Sequence, residues 1–364
     1  MKTRLRVLVL LLVVMAFTAC GKEKANNGAT KKQTEKTENT TETTTEITTE
    51  ITTEATTEQP AVTINPGEEV LKYHYADKDE AVSCYLSNEE YFSGMQISDI
   101  QYRTQNKNGT IDELKEYGAS QMREFSSSEK EIIDELFVEM EVVLKTNGYK
   151  LPDVGEITLI KSTQDEEGGS AAYTHGNQIY LGKIVVDYLC SDNEKERLRG
   201  KEYMWHELFH CITRNNPDFK KEMYSIIGFT VQDRDFTTPP SALEYYCSNP
   251  DVEHHNAYAT FKINGEEKDC FAITVVTKQF EKEGDMLLDY MKLALVPVDG
   301  SDVYYLSNEV DNLWNVFGLN TSYVIDPEEC MADNFSYAMV YGLDGRGYSD
   351  PQIIEGIINY LQGK

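Results

Sequence analysis

Positive charge is scarce in this chain. Its 34 Lys and Arg stand against 62 Asp and Glu, for a net charge of −28. Such a surface repels phosphate backbones and anionic headgroups, which excludes nucleic acid as a partner. Long hydrophobic runs are missing too. The apolar run Val7 to Phe17 has eleven residues, too few to span a bilayer. No two cysteines have zinc-knuckle spacing, and no Ser-His-Asp or Cys-His arrangement stands out. The Gly-rich stretch Tyr341 to Gly347 has no strand before it, so it reads as a loop rather than a phosphate cradle. Histidine is rare, with six in 364 residues.

The apolar run belongs to a leader. Lys2, Arg4 and Arg6 precede it, and Phe17-Thr18-Ala19-Cys20 ends it. Small residues before a Cys resemble a bacterial lipobox, which implies cleavage after residue 19 and a lipid on Cys20. Residues 20–60 are mostly Thr, Glu and Lys, with Thr-Thr-Glu recurring every four residues. They have too few apolar groups to offset the entropy of ordering, so they read as a disordered tether. The three cations of the leader cancel the tether's excess of Glu over Lys, so residues 61–364 carry the whole −28. The six remaining cysteines, Cys84, Cys190, Cys211, Cys247, Cys270 and Cys330, permit three disulfides or buried thiols, with no connectivity assigned.

The body reads as mixed α and β. Residues 61–125 are poorly patterned, with a strand at Ala81 to Leu86. Ser128-x-x-Glu131 has the form of a capping box opening a helix that presents Ile132, Ile133, Leu136, Phe137, Met140, Val143 and Leu144, and Gly148 suits its C-terminal cap. A strand follows at Glu156 to Lys161, then a strand pair around His175-Gly176-Asn177-Gln178. The acidic run Asp165-Glu166-Glu167 reads as a solvated loop. Asn193 to Arg214 reads as one helix, stopped at Asn215-Asn216-Pro217, with a second ending at Gly228. Residues 258–306 are β-rich, with a turn at Asn264-Gly265, and three helices follow near 308–318, 327–341 and 350–362.

The long helix carries His206-Glu207-Leu208-Phe209-His210. Residues i and i+4 share a helix face, so His206 and His210 can grip one metal ion, and Glu207 beside them can take a proton from water. A zinc site needs a third ligand, and Asn216 stands where a third nearby His would serve. Downstream, Pro327-Glu328-Glu329-Cys330-Met331-Ala332-Asp333-Asn334-Phe335 offers Glu329 and Asp333 at i, i+4 on one face, with Glu328 adjacent as a second candidate ligand.

H-E-x-x-H followed by a helix with E-x-x-x-D resembles the gluzincin group of zinc metallopeptidases, which includes thermolysin and anthrax lethal factor. The resemblance implies one catalytic zinc held by His206, His210 and Glu329, with Asp333 behind a ligating His and Glu207 as general base. Tyr323, six residues before Glu329, matches the place of the group's oxyanion donor. His254 and His255 are the other candidates for that role, while His74 and His175 read as structural or exposed. The group pairs its substrate with an edge strand before the metal helix, which points to Gln178–Gly182.

These readings converge on an α+β fold. A zincin-like domain over 126–364 would have a mixed sheet, an active-site helix, a β-rich insertion at about 230–306 and a helical C-terminal lobe. Residues 61–125 form an N-terminal segment of uncertain role. The expected function is a zinc metallopeptidase acting on peptides or proteins, lipid-anchored through Cys20 to the outer face of a bacterial membrane. A non-catalytic surface lipoprotein with a structural or metal-capturing zinc site is the alternative.

Overall fold

The computed structural model describes residues 70–364, which belong to one unit, Pro60–Lys364. The leader, the tether and Cys20 lie outside the described residues. The chain enters through β1 (Lys72–Tyr75) and four helices, α1 (Lys78–Leu86), α2 (Glu89–Gly94), α3 (Ile97–Thr104) and α4 (Ile111–Gln121). Next come β2 (Met122–Arg123), α5 (Ser127–Asn147), β3 (Glu156–Ser162), β4 (Ala172–His175), β5 (Gln178–Leu181) and α6 (Lys183–Leu189). The motif helix is α7 (Glu194–Asn215), followed by α8 (Pro217–Ile226). Then follow β6 (Thr230–Val231), α9 (Pro240–Leu243), β7 (Ala257–Ile263), β8 (Glu266–Val276), α10 (Leu287–Tyr290), β9 (Met291–Pro297) and β10 (Tyr305–Leu306). The chain closes with α11 (Leu313–Phe317), α12 (Pro327–Tyr341) and α13 (Pro351–Leu361). The fold is α+β, with thirteen α-helices and two sheets among the described residues.

The first sheet is mixed. Its order is β1-β3-β5-β4, with β1 and β5 parallel to β3, β4 antiparallel to β5, and β2 beside β3. Residues 61–125 therefore supply two strands to the sheet that supports the motif helix. The same order corrects the expected substrate edge. Gln178–Leu181 forms β5, enclosed between β3 and β4, so the edge on that side of the sheet is β4. The second sheet is antiparallel, β10-β9-β8-β7-β6, and is the β-rich insertion read from the sequence.

Two other expectations shift. Ala81 to Leu86 lies in α1, not a strand. Asp77 caps this helix by accepting from Glu80 N at 2.9 Å, and the buried pair Ala81 and Tyr85 has i, i+4 spacing. The cap of α5 falls two residues earlier than expected. Ser126 and Glu129 form the box, and Gly148 closes the helix at φ 65°, a conformation that costs glycine little. All six cysteines in the described residues are free thiols, and Cys211, Cys247, Cys270 and Cys330 are buried.

Of the acidic run 165–167, only Asp165 is exposed. Glu166 and Glu167 are both buried, Glu166 against Tyr173 and Glu167 against Arg103 and Tyr91. Burial raises the Glu166 pKa to about 7, while hydrogen bonds from Ser162 and Tyr173 pull it down. The folded protein then keeps a proton that the unfolded chain releases near pH 4.5. The stability this group contributes is full below that pH and is lost as pH rises through 7. Glu166→Gln cannot ionise. It is expected to keep stability on the order of 3 kcal/mol that the parent loses between pH 4.5 and 8, measured by urea unfolding at the two pH values. Parallel pH profiles for the two proteins would refute this assignment.

Candidate metal centre

The helix α7 runs through the core. Asn193 caps it by accepting from Lys195 N, and every residue from Met204 to Thr213 is buried. It lies between the first sheet and α12, with Phe209 and Phe335 rings 5.3 Å apart. Polar groups placed there need partners, because an unpaired buried polar atom costs about 1–3 kcal/mol. Helix α12 supplies them. Asp326 caps it, Pro327 opens its first turn, and Glu328 and Glu329 follow, both buried.

The two histidines are held alike. His206 Nδ1 lies 2.9 Å from Asp333 Oδ1, and His210 Nδ1 lies 3.0 Å from Glu328 Oε1. An ionised carboxylate only accepts, so each Nδ1 donates, which leaves each Nε2 as the nitrogen a metal ion would take in place of a proton. Those Nε2 atoms converge on Glu329 Oε2, at 3.0 Å from His206 and 3.7 Å from His210. His210 Nε2 is buried without a hydrogen-bond partner. Two imidazoles and a carboxylate within 4.8 Å of one another fit a zinc-type ion. The geometry also separates the two adjacent glutamates. Glu329 faces the ligand point, while Glu328 sits behind His210, where it also accepts from Thr213 Oγ1 at 2.6 Å and from the Tyr224 hydroxyl.

The local charges follow from these contacts. Burial opposes charge on His206, but the hydrogen bonds to Asp333 and Glu329 outweigh it and hold its pKa well above the usual value. Burial also opposes ionisation of Glu328, yet the hydrogen bond from His210 brings its pKa down to about 2. Burial raises Glu207, with the charges of both histidines pulling it back. A raised carboxylate is better matched to proton transfer near neutrality.

Glu207 Oε2 accepts from Thr174 Oγ1 on β4 at 2.7 Å. Beside it opens a cavity of about 340 Å³, whose lining includes Ala172, His206, Glu207, Met291 and Tyr323. The hydroxyl of Tyr323 donates to Glu329 Oε1 at 3.3 Å, so this residue stands at the cluster. His254 and His255 do not. His254 pairs with Asp235 at 3.0 Å, His255 meets the Tyr246 hydroxyl at 2.9 Å, and neither lines this cavity. His175 packs among Tyr91, Tyr173 and Tyr180, and His74 pairs with Glu80.

Four site residues lacked a sequence signal. Thr174, Asn249 and Asp251 stand far from both motifs along the chain, and Thr321 precedes the second motif by six residues in an unpatterned loop. Asn249 donates to Glu329 Oε1 and Thr321 donates to Asp333 Oδ2. Asp251 Oδ1 lies 3.9 Å from His210 Nε2 and accepts from Thr174 N. The only hint was the turn-forming string Ser248-Asn249-Pro250-Asp251. Comparison of the chain with family models, with curated proteins and with solved structures finds no match.

Proposed function

We propose that this chain is a zinc metallopeptidase of gluzincin type, with a zincin-like catalytic domain, held by lipid on Cys20 at the outer face of a bacterial membrane. The observation that carries the reading is the convergence of His206, His210 and Glu329 on one point with Glu207 alongside, at the rim of a cavity bounded by a sheet edge. A structural zinc site has no use for a carboxylate base beside an open cavity. The anchor rests on the leader and its Cys20.

A zinc ion bound by these three residues would supply Lewis acidity, polarising a peptide carbonyl and making water a stronger acid. The protein's own residues do the rest. Glu207 takes a proton from the attacking water and passes it to the leaving amine. Thr174 fixes the orientation of Glu207. Asp333 and Glu328 hold the two imidazoles with Nε2 facing inward. The Tyr323 hydroxyl stands where it can donate to the developing oxyanion. Strand β4 offers backbone pairing to an extended peptide. Because Thr174 N points outward, alternation puts the N–H and C=O of Ala172 on the same outer edge.

The test uses residues 61–364 stripped with a chelator and then reloaded. Cleavage of a peptide library, followed by mass spectrometry, is expected to vanish on stripping and return with one zinc per chain. Stoichiometric zinc without cleavage of any peptide would favour the structural or metal-capturing alternative.

A further inference from the structure

Two donors share one oxygen of the third ligand. Glu329 Oε2 faces His206 and His210, while Glu329 Oε1 accepts from both Asn249 Nδ2 and the Tyr323 hydroxyl. Glu329 is buried, so water does not stand ready to replace a donor that leaves. Stripping a buried carboxylate oxygen of its donors is costly. The two donors are built differently.

Asn249 is fixed. Its Oδ1 accepts from Asp251 N at 3.1 Å, which sets the amide orientation and leaves Nδ2 to meet Glu329. The backbone around it is clamped on both flanks. Ser248 N donates to Asp99 Oδ1 at 2.7 Å, and Arg103 Nη2 donates to the Ser248 carbonyl at 2.8 Å. Arg214 Nη2 donates to the Pro250 carbonyl at 3.1 Å. Thr174 N donates to Asp251 Oδ1 and Gly176 N to Glu253 Oε1, each at 2.7 Å, which ties the segment Ser248–Glu253 to the β4 hairpin. A side chain supported in this way keeps its geometry while its neighbours move.

Tyr323 is loosely held. Its bond to Glu329 is long, at 3.3 Å, and the residue is 38% exposed on the loop before α12. It also lines the cavity that holds His206 and Glu207. A hydroxyl has one hydrogen to give, so Tyr323 can serve a developing oxyanion only by letting go of Glu329. Asn249 permits that exchange, because Glu329 Oε1 still has a donor when Tyr323 turns away.

Resting on the peptidase reading, we infer that Asn249 is a positioning residue with two tasks. It holds Glu329 with Oε2 on the ligand point, and it releases Tyr323 to the substrate. The experiment measures zinc affinity by competition against a chelator at pH 8, followed by steady-state kinetics at saturating zinc. Asn249→Ala is expected to weaken zinc binding by about 10–100-fold, the usual worth of a group that orients a ligand. Asn249→Asp is nearly isosteric and can still accept from Asp251 N, yet it sets a second carboxylate against Glu329. It should weaken binding at least as much, and it serves as the test where Asn249→Ala fails to fold. Tyr323→Phe alone should change zinc affinity by less than about threefold, because Asn249 remains. In the Asn249→Ala background the same change removes the last donor and should cost about tenfold. With zinc saturating, Asn249→Ala should lower kcat and leave KM nearly unchanged, because Tyr323 then stays on Glu329. Parent-like zinc affinity in Asn249→Asp would overturn the inference, as would additive losses in the double variant. The expected affinities without peptide cleavage by the parent protein would remove the peptidase reading and the release of Tyr323, and would leave the hold on Glu329 established.

Discussion

Glu207→Gln is expected to keep one zinc per chain and lose peptide cleavage by about 10²–10⁴-fold, the usual worth of a positioned general base. The substitution is nearly isosteric. A Gln oxygen can still accept from Thr174 Oγ1, so the side chain stays where β4 holds it. The three converging groups, His206, His210 and Glu329, are untouched. What changes is that an amide cannot take up the proton of the attacking water. The loss should therefore fall on kcat with little change in KM, because the proton moves only in the transition state. Steady-state kinetics with metal analysis on the same preparation checks both halves. Undiminished cleavage would mean that another group is the base or that the activity is a contaminant's.

Glu329→Ala and Glu328→Ala are expected to differ, although the two residues are neighbours on one turn. Glu328 touches His210 through Nδ1, the nitrogen that faces away from the ligand point. Removing such an orienting group should weaken metal binding by about 10–100-fold. Glu329 contributes an oxygen to the ligand point itself. Its loss removes a ligand, and the weakening should exceed that range. Competition against a chelator of known affinity gives both values. If the order were reversed, Glu328 would be the ligand and α12 would have to be turned about its axis. Glu328→Ala also strips partners from Thr213 and Tyr224, so its melting temperature should fall as well.

The contrast shows what the sequence could specify. Two histidines four residues apart define a face under any helical geometry, so His206 and His210 were legible at once. The pairing of Glu329 with Asp333 followed from the same spacing. The choice of Glu329 over Glu328 rested on that pairing alone. Residues 327–332 are all buried, and a helix buried all round carries no stripe to show which side faces α7. The edge strand was illegible for another reason. A hairpin sequence names two strands but does not say which of them the rest of the sheet covers, and β3 joined the side of β5. Glu166 and Glu167 were misread as solvated because composition favours solvent. The burial of Glu167 depends on Arg103, more than sixty residues away in sequence. The segment Ser248–Glu253 is likewise held by partners remote along the chain.

The spacing of the ligands has a thermodynamic consequence. His206 and His210 belong to one helix, while Glu329 arrives only after 118 intervening residues and a whole antiparallel sheet. An unfolded chain can offer the ion two neighbouring imidazoles but rarely all three groups. The ion thus binds the native form in preference, and every increment of metal affinity is also an increment of folding free energy. At a free zinc concentration one hundred times the dissociation constant, that linkage amounts to about 2.7 kcal/mol. On the proposed reading, a bound ion would then serve as a clasp between α7 and α12, and the durability of the domain would follow the zinc available to it.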